Sequence, residues 1–511
     1  MRISEFNSQT QAYSSFIEKA MADANTPAFW TEKMAILRAC FQQPIRSLNE
    51  RKNRDYLGSL IYEVQRIHKI FMAGLEQSPV VQTAWDQDRF RNGWDDAVDL
   101  PVASETQKLL SEKLFIVEDS DEDASIMFSL GNDLREMSDD LIARCIASGH
   151  DFKLSFRDTD FNDFLLTQLT PEQAQEYGER SDPLSDDVTH RILADYNTIE
   201  NKVISSVPAE INAGFSAGIR KGFSRLLAGE VKTVLTLLPS RFDAERDTLS
   251  YDEYLTLFFE ACDQPWDAIT AAQDKLIEKF NAAAHVRFTN DDGTDLEMSL
   301  TDADGTPFTF CNSVIARNIP GSEIFSAPRR DSVNGTIVAK GKFTPRQNLQ
   351  GTIENLTMHF KDGQLVDFSA DEGADFFQEY LDIHENHSFI GELGIGTNPH
   401  IRKHLANILL AEKISGSFHV ALGDAYTFKD YLGTPVHVDN GNKSTLHWDI
   451  PTMLYGKGGC IYLDGEPIMV NGEFVDAEFD VLNRGWSAIP VEERPDYWKD
   501  YKGPFTGTTL A

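Results

Sequence analysis

Eight of the twelve histidines lie between His359 and His447, and the same stretch carries lone carboxylates inside apolar runs. In STLHWDIP, side chains two apart on an extended strand point the same way. His447 and Asp449 therefore project together, while Trp448 packs behind. An imidazole and a carboxylate on one face are a usable ligand pair for zinc, cobalt or manganese. His437 and Asp439 in PVHVDNG have the same spacing, and spacing alone does not separate the two pairs. The first pair is flanked by apolar residues, whereas the second runs into the turn signal DNGN, which favours exposure. His419 stands in the apolar run GSFHVALG, with Glu412 seven residues upstream. Glu392 stands in FIGELGIG and Glu323 in NIPGSEIFSAP. A buried carboxylate needs a cation, a donor or a raised pKa, so four such segments in one half of the chain favour a metal centre.

Other motifs fall away on chemistry. HENH lacks the HExxH spacing, which leaves His384 and His387 as structural or solvent-facing residues. His400 and His404 are one helical turn apart, but no carboxylate joins them on that face, and they too read as structural. GELGIGTNP has neither GxGxxG nor a Walker lysine and reads as a tight strand-to-helix turn. The acidic tract at 119–123 lacks the glycine and terminal glutamate of a calcium loop and reads as a solvated loop.

The elements that must hold these residues fall into three parts, a mixed α+β architecture. Residues 1–110 read as a polar helical extension of open role, with apolar residues three and four apart in NRDYLGSLIYEVQRIHKIFMAGLE. Residues 111–283 read as an α/β domain. In it a short strand at Leu114–Val117, a helix after the acidic tract to about Ser148, a strand in DFKLSFRD, a buried strand in TVLTLLP and helices over 249–283 follow one another. Residues 284–511 read as a β-rich metal-binding domain, with turn signals such as NDDG, DADG and DGEP between alternating runs. It has one expected helix at about 399–414, capped by Asn398 and Pro399 and ended near Gly416.

Composition narrows the partners. The 511 residues carry 81 acidic and 47 basic side chains, a formal net charge of -34, with no basic stripe to meet a nucleic acid or an anionic membrane. No apolar run is long enough to span a bilayer, and the first residues lack the apolar core of a secretory signal. Five cysteines without CxxC spacing fit reduced thiols, and a cytoplasmic location is expected.

The runs IGELGIGTNP, LLAEKISGSFHVALGDAY and NKSTLHWDI resemble the thermophilic-type metallo-aminopeptidases, the aminopeptidase T and aminopeptidase S family. SYDEYLTLFFEAC, GTDLEM, NIPGSEIFSAP, SVNGTI and KDGQLVDFSA agree in order, so the resemblance covers about residues 230–475. It implies metal ligands at Glu323, Glu392, His419, His447 and Asp449, an active-site tyrosine at Tyr426, and a less firmly transferred acid at Glu412. The family's H-x-D pair follows an Asn-x-Ser element, as His447 follows Asn442-Lys443-Ser444, which selects it over the pair at His437. Ala411 departs from the family, in which an aspartate is common there. The resemblance further implies two divalent ions (zinc, cobalt or manganese), peptide substrates with a free N-terminus and a homodimer. The expected chemistry is release of the N-terminal amino acid through a two-metal-activated water, with Glu392 or Glu412 taking its proton and Tyr426 acting as ligand or oxyanion donor. The competing readings are a non-catalytic metal-binding or interaction protein of the same descent, and a two-metal deacylase.

Overall fold

The computed structural model describes residues 105–116, separate stretches between 124 and 239, and 241–506 apart from 315–317, 344–351, 445 and 502. The helical reading of residues 1–104 and the acidic tract at 119–123 lie outside the described residues. The chain divides into two compact units. One takes Met1–Asn162, Arg180–Asp195 and Val231–Thr233, and the other takes Asp163–Glu179, Tyr196–Glu230 and Val234–Ala511.

In the first unit, helix α1 (Glu105–Leu114) precedes strands β1 (Ala124–Ser129), β2 (Phe152–Arg157) and β3 (His190–Tyr196). β1 pairs in parallel with both others, Ala124 facing Phe152 on one side and His190 on the other. The strand in DFKLSFRD is present, but two neighbouring expectations are corrected. Leu114 ends a helix instead of opening a strand, because Leu110 and Leu114, one turn apart, are both buried. The segment after the acidic tract opens as the strand ASIMFS, Leu141 and Arg144 further on are helical, and the rest of the expected helix to Ser148 lies outside the described residues. A parallel strand between two others carries an apolar run without alternation, which the sequence does not distinguish from a buried helix.

The second unit holds α2 (Pro171–Ser181, its last residues beyond the unit's limit), α3 (Ala209–Leu227), most of β4 (Lys232–Leu238) and α4 (Arg241–Arg246). α5 (Tyr251–Cys262) begins with a reciprocal cap: Glu253 N donates to Ser250 Oγ at 3.2 Å and Ser250 N donates to Glu253 Oε2 at 2.8 Å. α6 (Trp266–Ala282) follows and buries Ile269, Leu276 and Phe280.

Two antiparallel sheets follow. The larger has eight strands in the order β12-β11-β10-β6-β5-β18-β19-β20. In chain order these are β5 (His285–Thr289), β6 (Asp295–Ser299), β10 (Asn334–Phe343), β11 (Ile353–Lys361), β12 (Gln364–Ser369), β18 (Cys460–Leu463), β19 (Glu466–Val470) and β20 (Glu473–Phe474). The smaller has the order β17-β14-β13-β9-β7, built from β7 (Cys311–Ser313), β9 (Glu323–Ser326), β13 (Ile390–Gly396), β14 (Ser417–Gly423) and β17 (His447–Met453). The two-residue β8 (Asn318–Ile319) pairs with β4, and β15 (Asp430–Tyr431) with β16 (Thr434–Pro435). Phe288 of β5 stacks on Phe418 of β14 with ring centroids 4.1 Å apart, so the two sheets share one core.

The helix expected at 399–414 is one turn, α8 (Ile408–Ala411), capped by Asn407 instead of Asn398. Residues 399–406 are irregular because their backbone groups are engaged elsewhere. Phe505 N donates to His400 O at 2.7 Å and Arg402 N donates to Phe505 O at 3.0 Å, while the side-chain amide of Asn398, the expected cap, donates to Ala261 O at 2.9 Å. Ile401, Leu405 and Leu409 are buried all the same. Their spacing reported burial and not helix. The tight turn after β13 leads into this irregular segment, while a helix the sequence reading passed over, α7 (Ala374–Ile383), packs Phe377 and Tyr380 into the core.

Candidate metal centre

Period two in the smaller sheet sorts its residues onto two faces. Ile324, Leu393, Ile395, Phe418, Val420, Leu422, Trp448 and Ile450 turn into the shared core. Glu323, Glu392, His419, His447 and Asp449 turn the other way, onto four adjacent strands. Cross-strand register aligns them: Asp449 faces Ala421, which faces Glu392, and His419 faces Gly394, which faces Phe325. The glycine is required by space. A Cβ at Gly394 would lie 2.1 Å from Cε1 and Nε2 of His419, whose ring occupies that space.

The polar atoms converge. His447 Nε2 lies 2.8 Å from Glu392 Oε2 and 3.3 Å from Asp449 Oδ1. His419 Nε2 lies 3.8 Å from Glu392 Oε1 and 3.6 Å from Glu323 Oε2. Glu392 thus stands between the two imidazoles, one oxygen toward each. Glu392, His419 and Asp449 bring ligand atoms within 4.8 Å of one another, and all three are buried. Glu412 joins through Lys413, whose Nζ contacts both Glu323 Oε1 and, at 3.0 Å, Glu412 Oε2. Tyr426, half-buried, sets its ring 5.3 Å from His447 and 5.4 Å from Phe325.

Supporting contacts orient these groups. His447 Nδ1 lies 2.7 Å from Asp424 O, a contact in which Nδ1–H donates and Nε2 is aimed at the carboxylates. Asn442 is fully buried and donates to Asn386 O at 3.1 Å and to Gly423 O, while its own oxygen accepts from Arg330. It ties the lead-in of β17 to its neighbours, which gives the Asn-x-Ser element before His447 a structural reason. Under Glu323, Gln273 of α6 donates to Glu323 O at 3.3 Å and to Thr397 Oγ1 at 2.6 Å.

The electrostatics favour cations. Burial pushes the Glu392 carboxyl up, but hydrogen bonds from His419 and His447 outweigh it and hold it below its ordinary value. Burial draws the His419 imidazole down, yet Glu392, Glu323 and Asp449 carry it up to about 9. His447 is likewise held well above its ordinary value, against burial, by Asp449 and Glu392. The Tyr426 phenol is pushed up by burial and by the same carboxylates, so it keeps its proton. Four carboxylates, Glu323, Glu392, Glu412 and Asp449, crowd this face, the Lys413 ammonium contacts Glu323 and Glu412, and Glu323 Oε2 is buried without a hydrogen-bond donor. Oxygen and imidazole donors in such a pocket fit a divalent ion.

All seven residues singled out from the sequence meet here. The competing pair does not. His437 Nε2 lies 3.2 Å from Asp302 Oδ2, its ring stacks on Phe308, and Asp439 Oδ1 accepts from Gly441 N in a turn. His387, His400 and His404 have structural contacts to Tyr380 O, Tyr501 Oη and Lys342 O, although the last two are not on a helix. Sequence reasoning missed Lys413 and Gly394. The signal for Lys413 was present, a lysine within a run of apolar and small residues that had to find anionic partners.

Imidazoles and carboxylates crowding one sheet face make a donor set suited to divalent metal ions. The chain belongs to the thermophilic metalloprotease (M29) family, whose model matches residues 191–474. It is 34% identical over 129 residues to Aminopeptidase 2 of Geobacillus stearothermophilus, covering 24% of this chain and 28% of that protein. With Aminopeptidase AmpS of Bacillus subtilis the identity is 29% over 219 residues, 39% of this chain and 51% of the relative. With Aminopeptidase T of Thermus thermophilus it is 27% over 226 residues, 41% and 54% respectively. The matched segments thus span about half or less of these curated relatives. The structure of wild-type AmpT from Thermus thermophilus shares the fold with a TM-score of 0.53 at 17% identity, over 73% of this chain and 99% of that one. Membership of a metalloprotease family implies a divalent metal cofactor. Among the described residues no helix is long and apolar enough to cross a membrane.

Proposed function

We propose that this protein is an aminopeptidase that uses two divalent ions to release the N-terminal residue of peptides. The observation that carries the reading is Glu392, fixed between His419 and His447 with one oxygen toward each, the disposition expected of a carboxylate shared by two ions. His419 and Glu323 would hold one ion beside Glu392, and His447 and Asp449 the other, with Glu412 beside Glu323. Bound there, the ions would supply Lewis acidity and lower the pKa of coordinated water.

The chain's own groups do the rest. Glu412, which is not the carboxylate shared by the two ions, accepts the proton of the attacking water and returns it to the leaving amine. Tyr426 keeps its phenolic proton and stands beside His447 at the half-buried side of the site, placed to donate to the oxygen that gains charge in the transition state. The acidic pocket attracts a protonated or neutral amine more readily than a carboxylate, which suits a free peptide N-terminus. The names of the relatives, all aminopeptidases, support the same reading.

The test is release of amino acid from free and N-acetylated peptides after chelator stripping and addition of zinc, cobalt or manganese. Metal-restored release from the free peptides alone is expected. Equal turnover of acetylated peptides would move the reading to a deacylase, and metal uptake without release from either would move it to a binding protein.

A further inference from the structure

Lys413 is fully buried at the edge of the metal centre, and its backbone is fixed by Asn398 N donating to Lys413 O at 2.8 Å. Its ammonium takes Oε1 of Glu323 and Oε2 of Glu412. The remaining oxygen of Glu323, Oε2, is the one turned to His419 Nε2 at 3.6 Å. A carboxylate with one oxygen held by a lysine offers a metal its other oxygen alone. Ions such as calcium are built from six to eight oxygens, often with both oxygens of a carboxylate, whereas zinc and cobalt sites take about four or five donors and single carboxylate oxygens.

We propose that Lys413 is a positioning residue that restricts Glu323, and Glu412 with it, to single-oxygen coordination and so sets the centre's preference for small ions of low coordination number. The inference rests on the metal-dependent reading above. Lys413 touches neither substrate nor reacting atoms. It acts through the two glutamates, by the same logic as other groups that orient ligands from behind, whose loss typically weakens binding by about 10- to 100-fold.

The experiment compares wild type with Lys413→Met, a side chain of similar length without the charge. Affinities for zinc and calcium are read by chelator competition, and the visible absorption of the cobalt-loaded protein is recorded. Lys413→Met is expected to bind zinc about 10- to 100-fold more weakly. Its zinc-to-calcium preference should narrow, and its cobalt bands should weaken as coordination number rises. Unchanged preference and an unchanged cobalt spectrum in the variant would overturn the proposal while leaving the metal centre standing. Wild type that takes up no metal would overturn the metal-dependent reading itself. If Lys413→Met does not fold, the infrared difference spectrum of zinc-loaded against metal-free wild type decides. Beside the intermediate separation of the shared Glu392 carboxylate, widely separated stretching bands are expected, and a narrow separation, the mark of a carboxylate chelating one ion through both oxygens, would overturn the proposal.

Discussion

Replacing Gly394 by alanine tests the sheet-face geometry with one carbon. Gly394 is mid-strand in β13, and its φ lies outside the left-handed region, so alanine adds no backbone strain. The new Cβ would stand 2.1 Å from Cε1 and Nε2 of His419 and 2.9 Å from Nδ1. Ordinary carbon contacts begin at about 3.5 Å, so the ring must retreat by more than ~1 Å. His419 is 1% exposed, so its retreat displaces Nε2 from Glu392 and Glu323. Displacements of about 1 Å at a catalytic constellation cost on the order of 10²-fold in rate. A misdirected ligand costs about 10- to 100-fold in metal affinity, or ~1.4–2.7 kcal/mol. The assay is zinc affinity by chelator competition on Gly394→Ala, His419→Ala and the double variant. If the glycine acts through the imidazole, the double variant should bind no worse than His419→Ala alone, a non-additive cycle. Wild-type affinity in Gly394→Ala, or additive losses in the double variant, would refute the argument that this ring is a ligand held by the space over Gly394.

Three further outcomes are expected. Tyr426→Phe should lower kcat by about 10²-fold with metal content and KM unchanged, because it removes one donor to developing charge; loss of bound metal would assign Tyr426 as a ligand instead. Asp247 tests a pH dependence away from the centre: burial raises its carboxyl to about 6, despite Ala406 N donating to Oδ1 at 2.8 Å. The sign follows from the raised value. The native state favours the protonated acid, so stability from this group is full below about pH 4 and falls as pH rises through about 6, by ~3 kcal/mol in total. Asp247→Asn should therefore gain Tm over wild type at pH 8 and not at pH 4, and equal differences at both would contradict it. Asn442→Ala leaves the carbonyls of Asn386 and Gly423 and the Arg330 guanidinium without this partner, which should cost about 1–3 kcal/mol in urea unfolding.

The meeting of these side chains on one sheet face was legible because β-strands keep period two whatever surrounds them. Once His447 and Asp449 lay on one strand, their common direction followed, and lone carboxylates in apolar runs had to meet a cation. What spacing left equal, the resemblance and then tertiary contacts decided: His437 has its carboxylate partner in Asp302, far away in sequence. The helix expected at 399–414 failed for a similar reason. Its apolar residues are buried, but Phe505 and Asn398 supply hydrogen bonds that no local pattern announces. Phe376, Phe377, Tyr380 and Leu381 of α7 do have helical spacing, and the surrounding hairpin signals obscured it. Gly394 was unreadable for another cause, since its need for no side chain is created by His419 on the neighbouring strand.

The central claim places divalent ions against one face of the smaller sheet, on both sides of Glu392. Crystals of the protein soaked in zinc and measured on either side of the zinc absorption edge test it most directly. The account predicts two anomalous peaks bracketing the Glu392 carboxylate, one beside His419 and Glu323, the other beside His447 and Asp449. Anomalous density confined to His437 and Asp302, or to the acidic surface, with none at Glu392, would contradict it.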